Sequence, residues 1–178
     1  FFIIKINQNT SKIIFFDQSS FRYSEDFNFG SEIIIKDIEK ICSISKGTIM
    51  NFLSRNSNFN KSYTEQDFLE EKYFIKENFR KIRKKLIQDI ANARINEIAN
   101  IILNKNINIK TFNKNKPVIY VTIKDKIISN NFKSSFKEFF ANNSNSNLNL
   151  IEDFDLESSI TNSASLSLHG WKKEAIPV

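Results

Sequence analysis

Residues 1–30 read FFIIKINQNTSKIIFFDQSSFRYSEDFNFG. Two short apolar runs, 1–6 and 12–16, flank a polar corner, Asn7-Gln8-Asn9-Thr10-Ser11. A third strand-like run covers 20–29. Runs of Ile and Phe of this length, bounded by Asn and Ser, predict buried strands. The chain therefore opens on a β-meander whose first turn is rich in hydroxyl and amide groups.

Working outward, 178 residues suffice for one sizeable domain or two small lobes, and 40% hydrophobic residues are enough to build a core. Phe is abundant at 18 while Gly numbers only 3, and Ile, Asn and Lys are frequent. That bias follows AT-rich codons, so the net charge of +6 is a weak guide to partners. One cysteine, Cys42, excludes an internal disulfide. The single His169 excludes a His-rich metal site, and no metal site is expected. No apolar run approaches the ~20 residues of a membrane-spanning helix. With Phe at its start and Ile-Pro-Val at its end, the chain reads as a piece of a longer cytoplasmic protein.

Further along, 32–42 has Ile34, Ile38 and Ile41 at helical spacing, and 43–55 is a second short helix. Residues 56–61 form a polar loop, and Ser62-x-x-Glu65 has the form of a capping box. Residues 66–74 are expected to be partly extended. The longest predicted helix covers 76–103, free of Gly and Pro, with Ile87, Ala91, Arg94, Ile98 and Ile102 on one face. A polar stretch with a short extended piece at 107–109 leads to Pro117 and a buried strand at 118–123. A helix at 131–141, a polar loop at 142–147, a short strand at 148–151 and a last helix at 158–168 complete the order. Trp171 is left as a surface or interface anchor.

Three pieces of this order carry a resemblance. Ile4-Lys5-Ile6-Asn7-Gln8-Asn9-Thr10-Ser11 sits in the strand–turn–strand frame in which actin-like ATPases grip phosphate. Phe29-Gly30-Ser31-Glu32-Ile33-Ile34-Ile35-Lys36-Asp37-Ile38 resembles the Val-Gly-Gly-x-x-x-Thr-x-Asp-Ile-Ala stretch of the bacterial cell-division protein FtsA. Ala93-Arg94-Ile95-Asn96-Glu97-Ile98 resembles its Ala-Arg-(Val/Ile)-Glu-Glu-Ile helix. PilM, a pilus-assembly relative, is similar almost as closely. The resemblance implies an α/β fold: the C-terminal, actin-like (ribonuclease H-like) half, with a three-stranded meander, crossover helices and a small inserted lobe. The core would be 1–42 and 86–178, and the lobe 43–85.

It also implies a nucleotide site, with ATP as the cofactor, at Lys5, Asn7, Gln8, Asn9, Thr10, Ser11, Gly30, Arg94 and Glu97. The family motif is altered at each critical place. Glycines let backbone amides approach a phosphate closely, and Asn7, Gln8 and Asn9 stand where the family has three. Asn tolerates left-handed backbone better than most residues, Gln does not. Lys5 replaces the Asp that orients a Mg²⁺-bound water. The strand at 118–123 runs into Ile123-Lys124-Asp125-Lys126 rather than Thr-Gly-Gly-Gly. Efficient ATP turnover is therefore not expected, no catalytic residue is assigned, and ATP binding stays open. The bland alternatives are a polar hairpin turn at 7–11, a surface Asp37, and a helix-surface ion pair between Arg94 and Glu97 at i, i+3 spacing.

Lys76, Arg80, Lys81, Arg83 and Lys84, with Phe79 and Ile82 between them, form a cationic amphipathic stretch. In FtsA the inserted lobe of this half receives the C-terminal tail of FtsZ, which mixes acidic and apolar residues, so these cations are candidate partner-binding residues. A solvated helix face is the bland reading of the same residues. Filament-type self-association is a further implication. Membrane attachment would run through a segment outside this chain, placing the full-length protein at the inner face of the cytoplasmic membrane. No nucleic-acid partner is expected: the Phe residues sit in core patterns and no RNA- or DNA-binding motif is present.

Overall fold

Phe2, Ile4 and Ile6 alternate with Ile3 and Lys5 along β1 (Phe2–Ile6), and only the first set is fully buried. The same alternation buries Ser11, Ile13 and Phe15 of β2 (Ser11–Asp17) and Ile119, Val121 and Ile123 of β4 (Ile119–Ile123). A period of two with one apolar set requires a sheet packed on one face. The computed structural model describes residues 1–17, 20–56, 63–75, 77–106, 118–144 and 148–150. Its five strands run in the order β3-β2-β1-β4-β5, with β3 at Ser20–Phe27 and β5 at Leu148–Leu150. The meander is antiparallel, with Ile6 opposite Ser11, while β1, β4 and β5 are parallel, with Ile6 opposite Ile123. Parallel neighbours need a crossover. Here α1 (Glu32–Cys42), α2 (Lys46–Arg55) and α3 (Lys84–Leu103) lie between β3 and β4, and α4 (Lys126–Ser144) joins β4 to β5.

The helices bury their apolar stripes in one cluster with the sheet. Ile34, Ile35 and Ile38 come from α1, Ile87, Ala91, Ile95, Ile98 and Ile102 from α3, and Phe132, Phe136 and Phe140 from α4. The 44–82 segment adds Ile44, Ile49, Phe52, Leu53, Leu69, Tyr73 and Ile82 to that cluster. α4 starts earlier than the Phe spacing indicated and kinks at Phe132 (φ −121°, ψ 19°). One residue before the kink, the Asn131 amide donates to Leu53 O at 2.9 Å, tying α4 to the end of α2.

The helix expected over 76–103 begins only at Lys84. Leu69 N donates to Ile82 O at 2.8 Å, Lys84 N donates to Asp67 O at 2.8 Å, and Phe68 bridges Arg83 antiparallel. These long-range bonds hold the residues before Lys84 extended and override their helical propensity. The expectation of partly extended structure at 66–74 fits this bridge, which a 3₁₀ turn at Glu71–Tyr73 follows. The residues expected as a loop at 57–61, the Ser62 cap, the extended piece at 107–109, Pro117, the helix at 158–168, His169 and Trp171 lie outside the described residues, as does Lys76. No described helix is long and apolar enough to cross a membrane.

Glu77 anchors the start of α2 from a distance. Its carboxylate accepts from Ser45 N at 3.0 Å, from Ser45 Oγ at 2.8 Å and from Thr48 Oγ1. Desolvation opposes the charge, but these hydrogen bonds outweigh it and hold the carboxyl below its ordinary 4.5. A carboxyl lowered on folding stabilises the fold above its unfolded pKa and loses that contribution as pH falls through the folded value. Glu77→Gln should therefore lower the urea midpoint at neutral pH, and the gap to the wild type should close as pH drops below 4.5. Urea titrations of both proteins across that range measure it.

Candidate functional site

The β1–β2 turn is closed by Asn7 N donating to Thr10 O at 2.9 Å, with the Asn7 side-chain amide on Thr10 Oγ1 at 3.3 Å. Gln8 and Asn9 occupy its tip. None of these residues takes a positive φ, so the left-handed tolerance of Asn is not used. Two turn carbonyls point instead at the start of α1: Ser31 N donates to Asn7 O and Glu32 N to Gln8 O, each at 2.9 Å. Helix N-termini leave amides without intrahelical partners, and here the turn supplies them. Gly30 permits the approach, because a Cβ there would lie 2.2 Å from Asn7 O and 2.6 Å from Gln8 O.

Side chains reinforce the junction. The Gln8 amide donates to Glu32 Oε2 at 3.1 Å, and Lys46 Nζ reaches Glu32 Oε1 at 2.6 Å. The Lys46 ammonium holds the Glu32 carboxyl below its usual range against desolvation, and Gln8 adds to the effect. Ser11, expected as a phosphate hydroxyl, is buried and donates to Phe29 O at 2.8 Å.

The parallel pairing of β1 with β4 brings a second loop beside the turn. Lys124 N donates to Ile6 O at 2.9 Å. Together Asn7, Gln8, Asn9, Thr10, Lys124 and Asp125 line a cleft of about 480 Å³. The fold makes Lys124 and Asp125 part of the cleft wall. Asp125 was recognisable as a helix start, an Asp just ahead of an apolar helical pattern. Its Oδ1 accepts from Ile127 N at 3.0 Å and Ile128 N at 3.1 Å, capping α4.

Among the described residues the backbone amides of Gln8, Asn9 and Thr10 have no hydrogen-bond acceptor. Three consecutive free amides beside a lysine offer donors to an anion. For a Mg²⁺ ion the set is poor. Asp125 is the one carboxylate lining the cleft and is engaged in capping, and no group of metal-binding side chains occurs among the described residues.

Not every expected residue converges here. Lys5 is exposed on the opposite face of β1, between Lys12 and Thr122, and does not line the cleft. Gly30 lines a smaller neighbouring recess of about 150 Å³ with Gln8, Asn9 and Lys36. Arg94 and Glu97 lie in a separate cleft of about 360 Å³ between α1 and α3. There Arg94 pairs with Glu97 at 2.6 Å and also with Asp37. The cations around 80–85 do not share one helical face. Arg80 donates to Ser43 O at 2.6 Å, Lys81 sits 4.4 Å from the Phe68 ring centroid, Arg83 pairs with Glu65, and Lys84 reaches Glu70 at 3.6 Å.

No protein-family model matches the sequence, and no curated protein matches it. Solved structures do. The ethanolamine utilization protein EutJ from Carboxydothermus hydrogenoformans superposes with a TM-score of 0.54 at 15% identity, covering 84% of this chain and 42% of EutJ. MreB 5 of Spiroplasma citri, bound to AMPPNP, superposes with a TM-score of 0.52 at 14% identity, covering 84% of this chain and 47% of MreB 5. The chain has the actin-like, ribonuclease H-like fold. It spans less than half the length of either protein.

The Gly30 contact is open to a direct check. Gly30→Ala should cost about 1–3 kcal/mol, as overpacking against fixed backbone does. Urea unfolding reads the loss; an unchanged midpoint would show that the turn and α1 are not held in this contact.

Proposed function

We propose that this chain is the actin-like half of an adaptor resembling FtsA, joining FtsZ filaments to the membrane with a nucleotide site that no longer turns over ATP efficiently. The observation that carries the reading is the state of the turn. Its carbonyls cap α1, Gln8 is tied to Glu32, and the one carboxylate of the cleft caps α4. Little remains to hold Mg²⁺ or to orient an attacking water. The three resembling pieces fall on β1–turn–β2, the entry to α1, and α3, in the order the family uses.

The partner site in this reading is the cationic stretch of Arg80, Lys81, Arg83 and Lys84, with Lys76 outside the described residues. Phe79, 48% exposed, and Ile75, 68% exposed, add apolar anchors in the same segment. Cations around exposed apolar side chains suit an acidic, apolar peptide. The full-length protein would then work at the inner face of the cytoplasmic membrane, anchored by a segment outside this chain. An FtsZ tail peptide should bind with micromolar Kd in fluorescence anisotropy and weaken as salt rises. Changing Arg80, Arg83 and Lys84 to Ala should weaken it about tenfold or more, with circular dichroism confirming the fold. A folded protein that fails to bind at any salt would overturn the FtsZ assignment.

The free amides of Gln8, Asn9 and Thr10 beside Lys124 favour a second reading, an ATP-binding actin-like protein of another system such as a PilM-like pilus adaptor. Calorimetric titration separates the two: saturable ATP binding that Lys124→Glu weakens about tenfold would move the weight to it.

A further inference from the structure

The cleft between α1 and α3 is distinct from the turn and from the cationic stretch. Its apolar surface comes from Ile41, Ile90 and Ala93. Ile41 is 59% exposed at the last turn of α1, and Ile90 is 8% exposed beneath it. Leu86, 41% exposed, extends this line one turn toward the start of α3. Leu86, Ile90, Ala93 and Glu97 follow each other at steps of four, three and four, so they form one stripe along the helix. A large aliphatic side chain held in water at the mouth of an apolar cleft marks a contact surface more often than an isolated exposed residue does.

The rim has the opposite charge from the chain as a whole. Asp37, Asp89 and Glu97 line the cleft with one guanidinium, Arg94, in a protein of net charge +6. Arg94 is already spent on Asp37 and Glu97. Asp89 accepts no hydrogen bond among the described residues; Lys85, one turn before it, attracts it but is bonded to Glu65. The cleft is thus an apolar slot with a net acidic border. We infer that it docks an amphipathic helix of a partner protein that carries Lys or Arg beside large apolar side chains. The apolar face would pack on Ile41, Leu86 and Ile90, and the cations would meet Asp89 and Glu97. Such helix-in-groove contacts take affinity from the apolar anchors and orientation from the charges. An anionic membrane or a nucleic acid is disfavoured by the same border, and so is the acidic peptide proposed for the cationic stretch.

The test uses the whole chain and two labelled amphipathic peptides, one of Leu and Lys and one of Leu and Glu. The Leu–Lys peptide should bind saturably in fluorescence anisotropy and weaken with salt, and the Leu–Glu peptide should not compete for it. Ile41→Ser and Asp89→Lys alter exposed side chains and should each weaken binding about tenfold. Phe21→Ser, on β3, should leave it unchanged. Equal binding of the two peptides, or binding indifferent to both cleft substitutions, would overturn the proposal. So would a concentration-dependent dimer in sedimentation that Ile41→Ser abolishes, because a second copy would then be the occupant. Loss of FtsZ-tail binding alone would bear on the cationic stretch and leave this cleft untouched.

Discussion

The contact of the β1–β2 turn with the start of α1 is the constraint on which the rest of this structure depends. Two carbonyls, Asn7 O and Gln8 O, accept from Ser31 N and Glu32 N across a glycine with no room for a side chain. The contact fixes the helix axis relative to the sheet and satisfies amides that would otherwise be stranded at a partly buried helix end. Once α1 is placed, Ile34, Ile35 and Ile38 must lie over the buried face of the sheet. α3 then packs on α1 through Arg94 and Asp37, and α4 packs on α3, where the Ser135 hydroxyl donates to Asn92 at 2.7 Å.

Much of this was legible in the amino-acid order because the signals are local. Strands announce themselves through alternation and short Ile/Phe runs, and α1 was bounded at residues 32 and 42 by its Ile spacing. The residues before Lys84 were misread for a matching reason. A stretch of Lys, Arg and Ile without Gly or Pro looks helical by propensity, while the partners that hold it extended, Asp67, Phe68 and Leu69, lie more than ten residues earlier. Propensity carries no information about a distant strand-like partner, and tertiary pairing prevails over it.

The site was legible only in part, again along the line between local and long-range signals. The turn at Asn7–Thr10 could be picked out from its composition. That Lys124 and Asp125 would wall the same cleft follows from the register of β1 against β4, a pairing across more than a hundred residues. Lys5 was grouped with the turn by resemblance, as the residue at the family's Asp position. A strand sends successive side chains to opposite faces, and Lys5 falls on the face away from the buried cluster. Arg94 and Glu97 were grouped with the turn by resemblance, yet their i, i+3 spacing already described the pair they form on α3.

The turn also has a structural duty. The resemblance drawn from the sequence casts this polar turn as a phosphate grip. Here the same turn would be kept without any nucleotide, because its carbonyls cap α1 and Gln8 braces Glu32. Its presence is therefore weak support for ATP. The informative features are those the cap does not need: the free amides of Gln8, Asn9 and Thr10, and the side chain of Lys124. They can meet an anion without disturbing α1, whereas a Mg²⁺-bound water would require a carboxylate that is not already committed. Asp125 is committed to α4, and Lys5 lies on the other face of β1, outside the cleft. Free backbone donors to an anion are compatible with this geometry, while the carboxylate that lines the cleft among the described residues is already engaged in capping α4.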